Sequence, residues 1–137
     1  MKILVKKEFS YRGKSLQELT ALSDEDFAKL VTSRSRRTIL RGMDLPLQKS
    51  INKALALVKA GKQPKAVRTH CRDIVVTPKM IGLPFAIYKG NAFEFVNIQP
   101  EMLGHFLGEF ALTRKPVRHG KAGIGATKSS TAIAARK

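Results

Sequence analysis

Residues 77–110 read TPKMIGLPFAIYKGNAFEFVNIQPEMLGHFLGEF. Pro84-Phe85-Ala86-Ile87-Tyr88 is apolar and rich in strand-favouring types. Lys89-Gly90-Asn91 follows. Gly and Asn accept the positive φ angles of a tight turn, so a hairpin is expected here. Ala92-Phe93-Glu94-Phe95-Val96-Asn97-Ile98 partly alternates, with Glu94 between two phenylalanines, and completes the hairpin. Pro100 fits the first turn of a helix, where a missing N–H costs nothing, and Glu101 suits the positive end of the dipole. Met102, Leu103, Phe106 and Leu107 recur at helical spacing, with Gly104 as a weak point and Gly108 as a stop. This predicts a short helix. The whole stretch carries only five charged side chains, so most of the basic charge lies outside it.

Working outward, residues 73–77 (Asp73-Ile74-Val75-Val76-Thr77) resemble a third strand beside the hairpin, bounded by Pro78, which lacks a ladder donor. Pro46 is expected to open a helix with Leu47, Ile51, Leu55 and Val58 on one stripe and Gly61 at its end. That helix would cover one face of the sheet. Lys62-Gln63-Pro64-Lys65 reads as a basic linker. Further towards the N-terminus, Ser23 is a good helix cap, with acids in the first turn and Asp26 standing in for the Glu or Gln of a capping box. Phe27, Leu30 and Val31 supply an apolar face, and the helical pattern is expected to continue through Arg34, Arg36, Arg37 and Arg41 to Gly42. Residues 15–20 suggest one short helical turn. Residues 1–14 suggest no regular element.

Charge is the strongest compositional fact. The 137 residues hold 26 Lys and Arg against 10 Asp and Glu, a formal net charge of +16. Such an excess repels itself and favours a polyanionic partner, nucleic acid first and an anionic membrane second. No apolar run approaches the roughly 18 residues of a membrane span. The N-terminus lacks the apolar core and cleavage site of a signal peptide. The lone Cys71 excludes an internal disulfide, and an intracellular location is expected. After Glu109 no acid remains. Residues 114–137 carry seven basic side chains and few large apolar ones, a tail that cannot offset its ordering entropy alone.

Four arginines within residues 34–41 form a dense phosphate-binding surface, because the guanidinium fork matches phosphate and stacks on bases. A solvated helix end, with cations at the negative pole, is the plainer alternative. The cations expected to meet RNA are Arg34, Arg36, Arg37, Arg41, Lys65, Arg68, Arg72, Lys79, Arg114, Lys115, Arg118, Lys121 and Lys128, with His119. Phe85, Tyr88, Phe93 and Phe95 could stack bases, or else form core.

Other chemistry finds little support. Residues 120–129 are rich in glycine, but Gly125 and Lys128 are separated by Ala126 and Thr127 and no strand precedes them, so a nucleotide loop is not expected. His70 and Cys71, with His105 and His119 far off in sequence, lack the paired spacing of a metal site. The acids are few and scattered, which argues against an enzyme. We expect no cofactor, no metal and no catalytic residue. A general, chromatin-like nucleic-acid binder and a nucleic-acid enzyme are the rival classes.

Several motifs together resemble one family. Thr69-His70-Cys71-Arg72-Asp73, Pro78-Lys79-Met80-Ile81-Gly82, Tyr88-Lys89-Gly90 and Pro100-Glu101-Met102-Leu103-Gly104-His105-Phe106-Leu107-Gly108-Glu109-Phe110 resemble the small-subunit ribosomal protein S-nineteen family. Phe9-Ser10-Tyr11-Arg12-Gly13, Ser35-Arg36-Arg37 and the run from Lys115 to Thr127 resemble its archaeal and eukaryotic branch. The resemblance implies an α+β fold with a small three-stranded sheet. It implies a place in the head of the small ribosomal subunit, bound to RNA of the 3′ major domain. It also implies contact with the S-thirteen family member, proximity to the bridge with the large subunit, and a tail reaching towards the decoding region and tRNA. The expected organisation is a basic N-terminal helical extension (1–43), an α+β body (44–113) and a basic C-terminal tail (114–137), in a cytoplasmic ribosomal protein.

Overall fold

A computed structural model of the chain describes residues 9–117. Among these residues the fold is α+β, with four helices and a three-stranded sheet. The chain begins with a two-stranded ribbon, β1 (Ser10–Tyr11) and β2 (Lys14–Ser15), where no regular element was expected. Arg12 and Gly13 both hold positive φ, 52° and 79°, which is the backbone a two-residue hairpin turn demands. Ser15 then caps α1 (Leu16–Ala21) through a capping box. Its Oγ accepts from the Glu18 N–H at 3.4 Å, and the Glu18 carboxylate accepts from the Ser15 N–H at 3.2 Å.

The long helix expected from Ser23 to Arg41 is two helices, α2 (Asp24–Leu30) and α3 (Ser33–Arg41). Ser23 caps α2 as its sequence implies, with Oγ accepting from the Asp26 N–H at 3.1 Å. Asp26 does not close a capping box. Its carboxylate takes the Ser23 hydroxyl at 2.8 Å instead. At Val31 the backbone turns extended, which sends that side chain into the core, and Thr32 becomes the N-cap residue of α3. The break lets α2 bury Phe27 and Ala28 while α3 turns Ser35, Thr38 and Ile39 inward.

Next comes α4 (Leu45–Lys59), with Pro46 in its first turn. Gly61, at φ 72°, ends it, and the N–H groups of Gly61 and Lys62 return to the carbonyls of Val58 and Leu57. The buried stripe is Leu47, Ile51 and Ala54. Ala54 replaces the expected Val58, which is exposed, and its small side chain lets α4 lie close to the sheet.

The sheet consists of β3 (Val67–Thr69), β4 (Pro84–Tyr88) and β5 (Phe93–Asn97), in that order. The hairpin β4–β5 forms as the sequence predicts, with Tyr88 opposite Phe93 and Pro84 opposite Asn97. The third strand is not residues 73–77. It is β3, which runs parallel to β4 with Val67 opposite Phe85. Ile74, Val75, Val76 and Thr77 are buried, which explains their strand-like composition, but Ile74, Val75 and Val76 pair with residues 104–107. The Val76 N–H donates to the His105 carbonyl at 2.9 Å, and the Leu107 N–H donates to the Ile74 carbonyl at 2.9 Å.

That pairing also explains the missing C-terminal helix. Residues 100–110 form two 3₁₀ turns, Pro100–Met102 and Leu107–Phe110, rather than one α-helix. Gly104, at φ 78°, cannot continue a right-handed helix, and its N–H goes to the Val76 carbonyl at 3.1 Å. One core unites the described residues. Leu19, Phe27 and Val31 from residues 1–43 pack in one cluster with Ile51, Phe85, Ile87 and Leu107 from the body.

Candidate nucleic-acid interface

In α3, Ser35 is buried and Thr38 and Ile39 are half-buried, which fixes the inward face. Ser35 Oγ lies 3.1 Å from Thr32 Oγ1 and 3.4 Å from the Gly104 carbonyl. Arg34, Arg37 and Arg41 fall at spacings of three and four on the opposite face, and all three are exposed. At about 1.5 Å rise per residue they form a row roughly 10 Å long. No acid occurs in α3.

Four acids of the described residues pair with cations elsewhere. Asp24 pairs with Lys79 at 2.7 Å, Asp26 with Lys29 at 2.8 Å, Glu94 with Lys89, and Glu109 with His105 at 2.8 Å. The Lys29 and Lys89 ammonium groups hold the Asp26 and Glu94 carboxyls below their ordinary range. Among the described residues, no ion pair reaches Arg34, Arg37 or Arg41. The row is therefore cationic without internal compensation.

Other expected contacts divide into two groups. Arg36 is turned to structural work: its Nε donates to the Ala28 carbonyl at 3.1 Å and its Nη2 to the Lys29 carbonyl at 3.2 Å. These are last-turn carbonyls of α2, which lack helical partners. Arg72 is tied in the same way to the carbonyls of Tyr88, Gly108 and Ala111. Lys79 holds Asp24. By contrast Lys65, Arg114 and Lys115 are exposed. The Arg68 guanidinium lies 5.5 Å from the Phe93 ring centroid. Arg118, His119, Lys121 and Lys128 lie outside the described residues, as does the glycine-rich run 120–129.

Of the aromatic candidates, Phe85 is core. Tyr88 and Phe93 pack against His70, with ring centroids 4.4 Å and 5.3 Å from the imidazole. Phe95 stands open to solvent at 69% exposure. Lys53 and Lys62, which sequence reasoning passed over, lie with Lys65 and Arg68 along one groove beside Phe95. The available signal was the Phe93-Glu94-Phe95 alternation together with the lysines off the α4 stripe.

A second cavity, of about 150 Å³, is lined by Asp24, Asp44, Asp73 and Cys71. The Cys71 thiol donates to the Asp44 carboxylate at 3.1 Å. That bond, with burial, pushes the thiol pKa up and keeps the sulfur protonated, which opposes a nucleophilic role. Among the described residues, no three His, Cys, Asp or Glu side chains converge as a metal ion needs.

The profile of the family described as ribosomal protein S19 matches residues 37–119. The small ribosomal subunit protein uS19 of Halorubrum lacusprofundi is 48% identical over 124 residues, spanning 90% of this chain and 88% of that protein. The uS19 protein of Halobacterium salinarum is 50% identical over 123 residues, with the same coverage. The chain belongs to the ribosomal protein S19 family. Proteins of this S19 family are structural ribosomal proteins, not enzymes, and the same holds for this chain. The S19 match takes in Arg37, Arg41, Lys65, Arg68, Arg72, Lys79, Arg114, Lys115, Arg118 and His119. Arg34 and Arg36 precede it, and Lys121 and Lys128 follow it.

Proposed function

We propose that the protein is a structural constituent of the small ribosomal subunit head, binding ribosomal RNA of the 3′ major domain near the decoding region and the inter-subunit bridge. The observation that carries this reading is the exposed row Arg34, Arg37 and Arg41, which no acid among the described residues pairs with, on a chain of the S19 family. Arg fits RNA better than Lys here, because its planar fork bonds phosphate at two points and stacks on unpaired bases. Lys65, Arg68, Arg114 and Lys115 extend the cationic surface; Arg118, His119, Lys121 and Lys128, later in the sequence, are further RNA contacts in this reading, and tRNA is a neighbour of the tail. Arg36, Arg72 and Lys79 reach RNA only with their outer edges, because each has an internal partner. The neighbours in this reading are the S-thirteen family member and the large-subunit bridge, and the location is the cytoplasm. Among the described residues no helix is long and apolar enough to cross a membrane.

Filter binding tests the proposal. A transcript of the 3′ major domain should be retained in preference to duplex DNA of equal length. The log–log salt slope should be about −4 or steeper, six or more phosphate contacts at roughly 0.7 each. Equal retention of duplex DNA supports the chromatin-like alternative instead. A slope near −1 means that the +16 charge is not used on phosphates.

A further inference from the structure

An open groove of about 800 Å³ runs between α4 and the sheet. It is separate from the arginine row of α3. Lys53 enters it from α4, Lys62 and Lys65 from the loop after α4, Arg68 from β3 and Phe95 from β5. Among the described residues no carboxylate lines it. Arg68, Ala86 and Phe95 stand in one row across the three strands, so the guanidinium and the ring share a sheet face. An apolar ring left 69% exposed beside four cations has no partner within the described fold.

We propose that this groove holds a single-stranded RNA segment, with its phosphates on Lys53, Lys62 and Lys65 and one base stacked on Phe95. The inference rests on the RNA-binding reading above and names a second surface for it. Charge complementarity selects a polyanion. The phenyl face selects an unpaired base, because phenylalanine has no hydrogen-bonding group and a base within a duplex has no free face to offer it. An acidic peptide satisfies the lysines and leaves the ring bare.

The chain contains no tryptophan, so Phe95→Trp creates a single fluorescent reporter in the groove. Saturation with a transcript of the 3′ major domain should quench its emission, whereas poly-glutamate should not. Phe95→Leu should weaken binding about 5- to 150-fold, the range for one lost base stack, and leave the salt slope unchanged because no charge is removed. Replacing Lys53, Lys62 and Lys65 together by Gln should make the slope shallower by about 2. Thermal melts matching the parent establish that these exposed substitutions preserve the fold. Unchanged emission at saturation, parent-like affinity of Phe95→Leu, or equal quenching by poly-glutamate overturns the proposal. If the parent still binds the transcript with a steep slope, and Arg34, Arg37 and Arg41 to Gln weakens it, the ribosomal reading stands while the groove fails.

Discussion

The Arg72 Nη2 donates to the Ala111 carbonyl at 2.6 Å. The same nitrogen reaches the Gly108 carbonyl at 2.8 Å, and Nη1 reaches the Tyr88 carbonyl at 2.7 Å. One guanidinium thus ties the end of β4 to the last 3₁₀ turn and to the residue after it. Those carbonyls have little else to bond in a segment without α-helix. Arg72→Gln is expected to lower stability by about 2–3 kcal/mol, the scale for charged hydrogen bonds lost at a partly buried site. Arg72→Lys should recover little, because an ammonium cannot reproduce the fork. Urea denaturation of the free protein checks this. An Arg72→Lys midpoint equal to the parent's would return Arg72 to a purely RNA-facing role.

Gly104 couples the turn region to the N-terminal ribbon. Its φ is 78°, and a Cβ there would stand 2.6 Å from the Tyr11 hydroxyl. Gly104→Ala is expected to cost about 1–2 kcal/mol from backbone strain alone, with the clash in addition. Adding Tyr11→Phe removes the nearest atom, so the double variant should regain part of the loss and keep the strain component. Thermal melts of the two variants read the difference. No recovery at all would mean that Tyr11 moves aside freely.

The arginines of α3 should separate by task. Arg34, Arg37 and Arg41 to Gln should weaken RNA binding and make the salt slope shallower by about 2, at roughly 0.7 per contact, with little change in stability. Arg36→Gln should do the reverse. It uncaps two carbonyls of α2 at a cost of about 1–2 kcal/mol and leaves the slope nearly unchanged. Paired melting and filter-binding curves distinguish them. Identical behaviour of all four positions would contradict the division.

Glu109 supplies a pH-dependent contribution. Its carboxylate accepts from the Phe106 N–H at 3.0 Å and from His105 at 2.8 Å. The backbone bond first, then the histidine, holds its pKa below the ordinary glutamate value. A carboxyl depressed on folding stabilises above its unfolded value of about 4.3, and that stability is lost as pH falls through the folded value. The site is half exposed, so the effect should be about 0.5 kcal/mol or less. Glu109→Gln should melt below the parent at pH 6 and converge with it in acid. A gap that persists below pH 3 would assign the difference to shape rather than charge.

Sequence pattern made the hairpin legible because Lys89-Gly90-Asn91 sits between two apolar runs, and both turn chemistry and alternation point the same way. It also placed α4 and the caps at Ser23 and Gly61. It failed where burial and pairing separate. Ile74, Val75 and Val76 are as apolar as a central strand, yet their hydrogen bonds go to residues 104–107, a long-range choice that no local pattern encodes. The helical spacing of Met102, Leu103, Phe106 and Leu107 is produced by two turns hinged at Gly104. At the candidate interface, residue type marked Arg34, Arg36, Arg37 and Arg41 alike as RNA contacts, and the structure leaves Arg34, Arg37 and Arg41 exposed without an ion pair among the described residues. Residue type gave no means to see that Arg36 folds back onto α2, or that Lys53, Lys62 and Phe95 meet across the groove.

If the exposed arginines of α3 bind RNA, the protein joins the small subunit through that RNA. Sedimentation of a native lysate through a sucrose gradient tests it most directly, with the protein followed by an antibody. The protein should travel with the small subunit at physiological salt and magnesium, and raised salt should strip it to the top of the gradient. A protein found at the top under physiological conditions, or travelling with DNA after ribonuclease treatment, would overturn RNA-dependent membership of the small subunit.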